Sequence, residues 1–322
     1  FQPHLTRQAL PQIIPGHTAQ YLPATISTSS DTTSASSASS LAVSPLIFTE
    51  QTDNTYSVAI WPNGNTNVAG VVTIPATWNG KPVTAIASDA FYNCARMTSL
   101  TIPASIKTIG MYAFCGCKAL TSLSLPAGIT SIGNYTFNDC SSLTSLTIPD
   151  SVTTIAKCAF YGMTSLTNIK LPANLTRLEE LAFCHCPNLA RLTLPSGLTF
   201  IGRSVFAFCT RLNELAIPSG VTTIGETAFA DCSGLTYLAL PAAVTSIGVQ
   251  AFLNCAELTN FTINATTPPT ADSFMFKDWN KLVAIHVPPV PSGCVATYKA
   301  AAGWNSYAGI IHASDIIIIP PL

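Results

Sequence analysis

Charged residues are scarce in this chain. Asp, Glu, Lys and Arg make up 9% of the 322 residues, whereas soluble domains usually carry about 25%. The 14 Lys and Arg residues nearly balance the 15 Asp and Glu residues, so the formal net charge is -1. Proteins that bind nucleic acid need a concentrated basic surface to displace counterions from phosphates. The composition therefore predicts that nucleic acid is not a partner.

Long apolar runs are missing as well. A membrane-spanning helix needs roughly 20 successive apolar residues. The longest candidate, DIIIIPPL at 315–322, is far shorter and contains two prolines. We therefore predict no transmembrane segment.

No arrangement of residues typical of catalysis is visible. The histidines show no motif spacing to a serine, cysteine or carboxylate, and no Gly-rich phosphate loop joins a strand to a helix. Adjacent Glu179 and Glu180 form a candidate carboxylate pair, but a solvated loop explains them more simply. We therefore predict that the protein is not an enzyme and uses no cofactor.

What the chain does contain is a repeat with a period of 23 residues. LTSLTIP at 143–149 is preceded by LTSLSLP at 120–126 and followed by LTNIKLP at 166–172. Self-similarity at such a period is typical of solenoids, in which each repeat is one supersecondary unit. About nine units fit between residues 80 and 290. A phenylalanine recurs at the same spacing, at Phe91, Phe114, Phe137, Phe160, Phe183, Phe206, Phe229 and Phe252.

Residues 143–163 show how one unit is built. Leu146 and Ile148 flank a polar residue, which predicts a short strand with one buried face. Pro149 ends that strand because proline cannot donate to a continuing ladder. SVTTI at 151–155 predicts a second short extended piece, and AKCAFYGM predicts a bent or single-turn helical segment that buries the phenylalanine. One unit buries too little apolar surface to fold alone, so stacked units must cover one another.

Cysteines form a second periodic column, three residues after the repeat phenylalanine. Met163 occupies the position in the one unit that lacks the cysteine. Methionine replaces cysteine where a soft apolar side chain is enough, so the column is predicted to be a buried structural ladder. The predicted core ladder consists of Phe114, Phe137, Phe160, Phe183, Phe206, Phe229, Cys117, Cys140, Cys186, Cys209 and Cys232.

The remaining cysteines raise the question of metals and disulfides. CGC at 115–117 and CHC at 184–186 resemble fragments of metal sites. Zinc sites usually have two C-x₂₋₄-C pairs, which are absent, so we predict no metal site. A disulfide is possible among Cys115, Cys158, Cys184 and Cys294, but the sequence does not identify the pair.

The pattern LxxLxLP…VTxIGxxAFxxC resembles the leucine-rich repeats of the BspA-like, or Treponema pallidum-type, class over roughly residues 70–310. The resemblance implies a β-rich solenoid with 23-residue rungs and a parallel sheet on one face. Members of this class are mostly secreted or surface-exposed proteins that bind partners rather than catalyse reactions. The matching residues are Leu143, Leu146, Ile148, Pro149, Val152, Ile155, Phe160 and Cys140.

The ends of the array differ from its middle. Alternation at 56–60, turn residues at 62–65 and an extended stretch to Ile74 predict a hairpin. Tyr298 and Trp304 are predicted to cover the last rung. Four parts are therefore predicted: an extended Ser/Thr/Ala-rich arm at 1–45, a β-hairpin cap at 46–79, a solenoid of about nine rungs at 80–290, and a C-terminal cap and tail at 291–322.

The outward strand positions distinguish the middle units from the early ones. Early units carry serine or threonine there, whereas the later ones carry Asn168, Lys170, Arg191, Glu214 and Tyr237. Tyrosine and arginine are enriched at binding hot spots. We therefore predict that these five residues form a binding patch, with ordinary variation of surface residues as the competing explanation.

Two functions fit these features. The first is an extracellular or cell-surface, non-enzymatic binding or adhesion protein that recognises a protein or glycan on another surface through its sheet face. The second is a structural subunit of a self-assembling extracellular filament or surface layer. In that case copies of the chain would be linked through the arm at 1–45 and the tail at 315–322, because strand-prone ends can add to an open sheet edge.

Overall fold

The structure, a computed structural model, describes residues 20–22, 46–60, 68–277, 281–289 and 293–314. This part is rich in short strands and includes one α-helix, α1 (Cys294–Ala300), and one 3-10 helix (Asn305–Ile310). The strands are β1 (Gln20–Leu22), β2 (Leu46–Glu50), β3 (Tyr56–Ile60), β4 (Ala69–Thr73), β5 (Thr77–Trp78), β6 (Lys81–Ile86), β7 (Arg96–Thr101), β8 (Thr108–Ile109), β9 (Ser122–Leu123), β10 (Ser131–Ile132), β11 (Ser145–Thr147), β12 (Thr154–Ile155), β13 (Asn168–Lys170), β14 (Arg177–Leu178), β15 (Phe200–Ile201), β16 (Thr223–Ile224), β17 (Tyr237–Leu240), β18 (Ser246–Ile247), β19 (Asn260–Ile263), β20 (Ala284–Val287) and β21 (Ile311–Ala313).

Two parallel ladders run along the stacked repeats. The first ladder comes from the LxxLxLP segments and contains β4-β7-β9, β11-β13 and β17-β19-β20-β21. The second comes from the VTxI segments and contains β3-β6-β8 and β10-β12-β14-β15-β16-β18. Equivalent residues of neighbouring rungs pair, as Leu146 does with Ile169 and Ile155 with Leu178. The predicted solenoid of 23-residue rungs is confirmed, and the second ladder adds to the single predicted sheet.

The third side of each rung is a run of turns, so the predicted helical segment at 156–163 is wrong. Cys158 and Gly162 have φ values of 55° and 71°, which a right-handed helix does not contain. The amide of Phe160 donates to the carbonyl of Ala182 in the next rung at 2.9 Å, while intervening amides bond within the rung. This alternation satisfies the backbone without a helix.

The phenylalanines form a continuous stack along the core. All six members of the predicted ladder are 0% exposed. Ring centroids of successive units lie between 5.1 Å (Phe160–Phe183) and 5.9 Å (Phe183–Phe206) apart. The rings are close to parallel, an arrangement that favours offset stacking.

The cysteine column lies beside this stack. Its five predicted members are 0% exposed, as is Met163. Each thiol donates to the carbonyl of a phenylalanine 26 residues earlier; for example, Cys140 Sγ lies 3.2 Å from Phe114 O. All eleven cysteines are buried and free, so Cys115, Cys158, Cys184 and Cys294 form no disulfide.

The N-terminal cap contains a hairpin that differs from the predicted one. β3 pairs antiparallel with β2 and parallel with β6, whereas β4 pairs parallel with β7 in the other ladder. The stretches 56–60 and 69–73 therefore do not pair with each other, because each continues a different ladder. The predicted turn at 62–65 lies outside the described residues.

The C-terminal cap buries two large aromatic side chains. Tyr298 and Trp304 are 0% exposed, and their ring centroids lie 5.1 Å apart. Tyr298 Oη donates to Ala265 O and Trp304 Nε1 donates to Pro269 O, each at 2.8 Å. Both polar groups are thus satisfied inside the apolar end of the solenoid.

Neighbouring rungs approach closely at several glycines of one column, and Gly248 is an example. A β-carbon added at Gly248 would overlap the backbone nitrogen of Glu226 in the preceding rung. We expect Gly248→Ala to lower the free energy of unfolding by about 1–3 kcal/mol, because the rungs must separate.

Gly133 is a matched control from the same column of the repeat. A β-carbon there would find its nearest neighbour, Thr136 Oγ1, at 3.4 Å. Gly133→Ala should leave stability unchanged or raise it by up to about 1 kcal/mol. Urea denaturation of both variants measures the difference, and equal losses would contradict the close approach of the rungs.

Candidate binding surface

The predicted binding patch lies on the first ladder. Asn168 and Lys170 lie on β13, and Tyr237 begins β17. Between these strands, Arg191 and Glu214 are joined by an isolated parallel bridge. Asn168, Arg191, Glu214 and Tyr237 occupy equivalent positions of four successive rungs. Adjacent strands lie about 4.8 Å apart, so this column extends over about 14 Å.

Alternation along each strand directs the patch side chains outward. The residues that follow them, Ile169, Leu192, Leu215 and Leu238, are all buried in the core. Successive side chains of a strand point to opposite faces, so burial of these four fixes the direction of the patch. Tyr237 is 39% exposed, so its ring is open to a partner.

The charges of the patch are available to a partner. Among the residues that the structure describes, Lys170, Arg191 and Glu214 form no ion pair. Small side chains, Ala216 and Ala239, follow Glu214 and Tyr237 on the outward face. The patch therefore presents charged groups without an ion-pair partner and an aromatic ring, beside small alanine side chains.

The Glu179–Glu180 pair is occupied by ion pairs instead. Glu179 Oε1 lies 2.8 Å from Arg177 Nε. Glu180 contacts Lys157 Nζ at 2.9 Å and Arg203 Nη1 at 3.4 Å. Glu180 thus links its rung to both neighbours, whereas Glu179 pairs within its own rung. Ion pairs that remain partly open to solvent contribute modestly to stability.

The turn side of the solenoid carries a surface feature that sequence reasoning missed. Six aromatic side chains lie along it, and we call them the aromatic stripe: Tyr92, Tyr112, Tyr135, Tyr161, His185 and Phe208. The Tyr112 and Tyr135 rings stack at 4.6 Å, and the His185 and Phe208 rings stack at 4.3 Å. The sequence does mark two of these residues as unusual. The second residue after each repeat phenylalanine is Asn, Asp or Gly except at His185 and Phe208.

Other kinds of site find little support in the described part of the chain. Within it, no group of three or more His, Cys, Asp or Glu side chains is placed to hold a metal ion. A shallow cleft between β9 and β11 is lined by Leu, Ser, Thr, Ala and Pro side chains, which supply no acid or base. In the described ranges, no helix has the length and hydropathy needed to cross a bilayer.

The segments invoked for filament assembly fall mostly outside the described residues. Of the arm at 1–45, the structure describes only Gln20–Leu22, which pairs antiparallel with β2 of its own chain. The tail at 315–322 lies beyond the described part. Assembly through these two segments remains a prediction.

Comparison with known proteins agrees with the repeat pattern and the fold. A family profile for the BspA type Leucine rich repeat region matches residues 84–213 and 199–291, with six copies. No relative was found among curated proteins.

Solved structures of similar shape include a leucine-rich repeat protein from Bacteroides ovatus. It is 25% identical, with a TM-score of 0.58, over 75% of this chain and 69% of that chain. The leucine-rich repeat protein of T. pallidum is 26% identical, with a TM-score of 0.53, over 66% of this chain and 86% of that chain. A leucine rich cell surface protein from Faecalibacterium prausnitzii is 22% identical over 89% of this chain and all of that chain, with a TM-score of 0.37.

The two matched regions run together from residue 84 to residue 291, which is more than half of the chain. Within them lie the stacked rungs, the phenylalanine stack and most of the cysteine column. The chain belongs to the BspA-type leucine-rich repeat family.

Proposed function

We propose that this protein is a non-enzymatic binding or adhesion protein that acts outside the cell or at its surface. It recognises a protein or glycan partner through the first ladder, with Asn168, Lys170, Arg191, Glu214 and Tyr237 at the centre of the contact. Leucine-rich repeat solenoids typically serve as scaffolds for binding, which supports this function.

One observation carries the proposal. The outward column of the first ladder changes from serine in the early rungs to a run of charged, amide and aromatic side chains in the middle rungs. That run is exposed, and its two charged members, Arg191 and Glu214, form no ion pair in the described structure, and neither does the nearby Lys170. A rigid backbone holds it in place, so binding would cost little ordering of the main chain.

Replacing the two hot-spot residue types tests the patch. Ligands selected for the intact protein from a displayed peptide library and from a glycan array serve as probes. Arg191→Ala and Tyr237→Ala are each expected to weaken binding of a selected ligand by about tenfold or more, because each removes a large exposed contact. Surface plasmon resonance gives the dissociation constants.

The early rungs provide the control. Ser99 and Ser122 occupy the same outward column as Arg191 and Tyr237. Ser99→Ala and Ser122→Ala should leave the dissociation constant unchanged. Unchanged affinity in both the Arg191→Ala and Tyr237→Ala variants would refute the patch as the binding site.

A further inference from the structure

The aromatic stripe contains two residues that break the rule of their column. Every residue two after the repeat phenylalanine has a positive φ, which is 59° at His185 and 62° at Phe208. Glycine, asparagine and aspartate tolerate this conformation, whereas bulky side chains are strained in it. Along the chain the column reads Asn93, Gly116, Asp139, Gly162, His185, Phe208, Asp231 and Asn254.

The two rings form a platform with one open side. The His185 and Phe208 rings lie 4.3 Å apart and 9° from parallel, and Tyr161 meets His185 edge-on at 5.3 Å. Burial lowers the pKa of His185, which favours the neutral form of the imidazole at pH 7. One face of Phe208 thus packs on the His185 ring, yet Phe208 remains 40% exposed.

A carboxylate stands next to the open side. Asp231 occupies the equivalent position one rung after Phe208, about 4.8 Å along the solenoid. Asn254 Nδ2 donates to Asp231 Oδ1 at 3.0 Å, which orients the carboxylate. Among the described residues, Asp231 forms no ion pair. Two aromatic residues with positive φ, one of them exposed, thus precede in the same column a carboxylate that forms no ion pair in the described structure.

Another part of this chain shows that a phenylalanine and a carboxylate together can bind an arginine side chain. Elsewhere on the surface the guanidinium carbon of Arg177 lies 4.1 Å from the centroid of the Phe200 ring. Arg177 Nε also pairs with Glu179 Oε1 at 2.8 Å. A phenylalanine and a carboxylate therefore already hold an arginine in this fold. Phe208 and Asp231 offer the same two groups, without an arginine of the described chain over the ring.

We propose that Phe208 and Asp231 form a receptor for an arginine side chain of a partner protein. The guanidinium stacks on the open face of Phe208 and pairs with the Asp231 carboxylate. Arginine fits better than lysine, because its planar group stacks on aromatic rings and pairs with carboxylates through two hydrogen bonds. This receptor lies on the turn side and is independent of the patch on the first ladder.

Peptide titration tests the receptor directly. The probe is a capped, otherwise neutral heptapeptide with one central arginine, compared with its lysine and citrulline analogues. Binding is followed through the backbone amide signals of Phe208 and Asp231 in NMR spectra of the full chain. We expect the citrulline peptide, which keeps the shape but lacks the charge, to bind about tenfold more weakly than the arginine peptide.

Two substitutions already present in other rungs supply the variants. Phe208→Asn and Asp231→Asn each place in the column the residue found at Asn93 and Asn254. Both should therefore fold and weaken arginine binding by about tenfold. Tyr237→Ala, on the first ladder, should leave arginine binding unchanged, which separates this receptor from the patch.

Three results would overturn the receptor. Equal binding of the arginine and citrulline peptides would show that the positive charge of arginine does not contribute to binding. Unchanged binding of the arginine peptide by folded Phe208→Asn would show that the guanidinium does not stack on the Phe208 ring. Saturation of the same amide signals by a neutral oligosaccharide, maltoheptaose, without a response to the arginine peptide would assign the platform to a glycan instead.

Discussion

Raising the pH from 8 to 10 in the presence of a reductant should strongly lower the free energy of unfolding of this protein. Burial raises the pKa of the Cys94, Cys115 and Cys184 thiols from 9.0 to about 12 and that of Cys158 to about 11. Burial also raises the pKa of Cys209 and Cys232 well above the ordinary value. The folded state therefore keeps protons that the unfolded chain releases.

The direction of the effect follows from this difference in pKa. Stability from the neutral, buried thiols is fully present below the pKa of the unfolded thiol, near 9, and is lost as the pH rises toward about 12. Each such thiol lowers the free energy of unfolding by about 1.4 kcal/mol per pH unit in that window. Three of them together cost about 4 kcal/mol per pH unit, a large share of the roughly 5–15 kcal/mol that stabilises a typical domain.

Urea denaturation between pH 7 and pH 10 measures this slope. Cys115→Ala and Cys184→Ala are suitable controls, because equivalent positions of other rungs already hold Ala207 and Ala230. Each substitution should reduce the slope above pH 9 by about 1.4 kcal/mol per pH unit. Stability that stays constant up to pH 10 would show that the thiols are not held as buried neutral groups.

Removing one ring from the middle of the phenylalanine stack should also lower the free energy of unfolding by several kcal/mol. Phe183 is 0% exposed and stacks between Phe160 and Phe206, at 5.1 Å and 5.9 Å. Phe183→Ala leaves a cavity that neighbouring rungs cannot fill, so the free energy of unfolding should fall by about 3–5 kcal/mol. Urea denaturation followed by circular dichroism measures the loss.

Because Phe183 lies in the middle of the array, its substitution also tests whether the rungs unfold as one unit. Each rung contacts only its neighbours, so a weak rung in the middle separates the solenoid into two unfolding units. A broadened or two-step transition is therefore expected for Phe183→Ala. Phe274→Ala is the control, since Phe274 is 58% exposed, and it should change stability by less than about 0.5 kcal/mol. A loss below about 1 kcal/mol for Phe183→Ala would contradict the stacked core.

The solenoid is predictable from the sequence because its contacts are local to the repeat. Phe160 packs on equivalent phenylalanines 23 residues away on either side, so its burial follows from the period alone. Met163 in the cysteine column likewise marks that column as apolar filling, since methionine offers no thiol for a metal or a disulfide.

Other features depend on information that the period does not carry. The helical expectation at 156–163 follows from its apolar spacing, but positive φ values at Cys158 and Gly162 belong to turns. The pairing of β3 with β2 is a choice between distant strands, and alternation within β3 fits several partners. The aromatic stripe lies at turn positions, where no alternation of buried and exposed residues indicates which side chains reach the surface together.

The binding role of the patch cannot be read from the repeat pattern alone. Which surface binds a partner depends on the partner, and side-chain type alone supplies only a preference. The structure places Arg191 and Glu214 side by side and outward, as the alignment of the units implies. Their role in binding is decided by the substitutions described above.

The strict pairing of equivalent residues also constrains how the gene for this protein can change length. Ser145 pairs with Asn168 one repeat on, and Asn260 pairs with Ala284 after one extra residue, next to the C-terminal cap. Loss or duplication of a whole unit would leave every remaining strand with an equivalent neighbour. A shift of a single residue in the interior would instead turn buried side chains outward through all of that rung's contacts. The length of the solenoid can thus evolve in steps of one complete repeat.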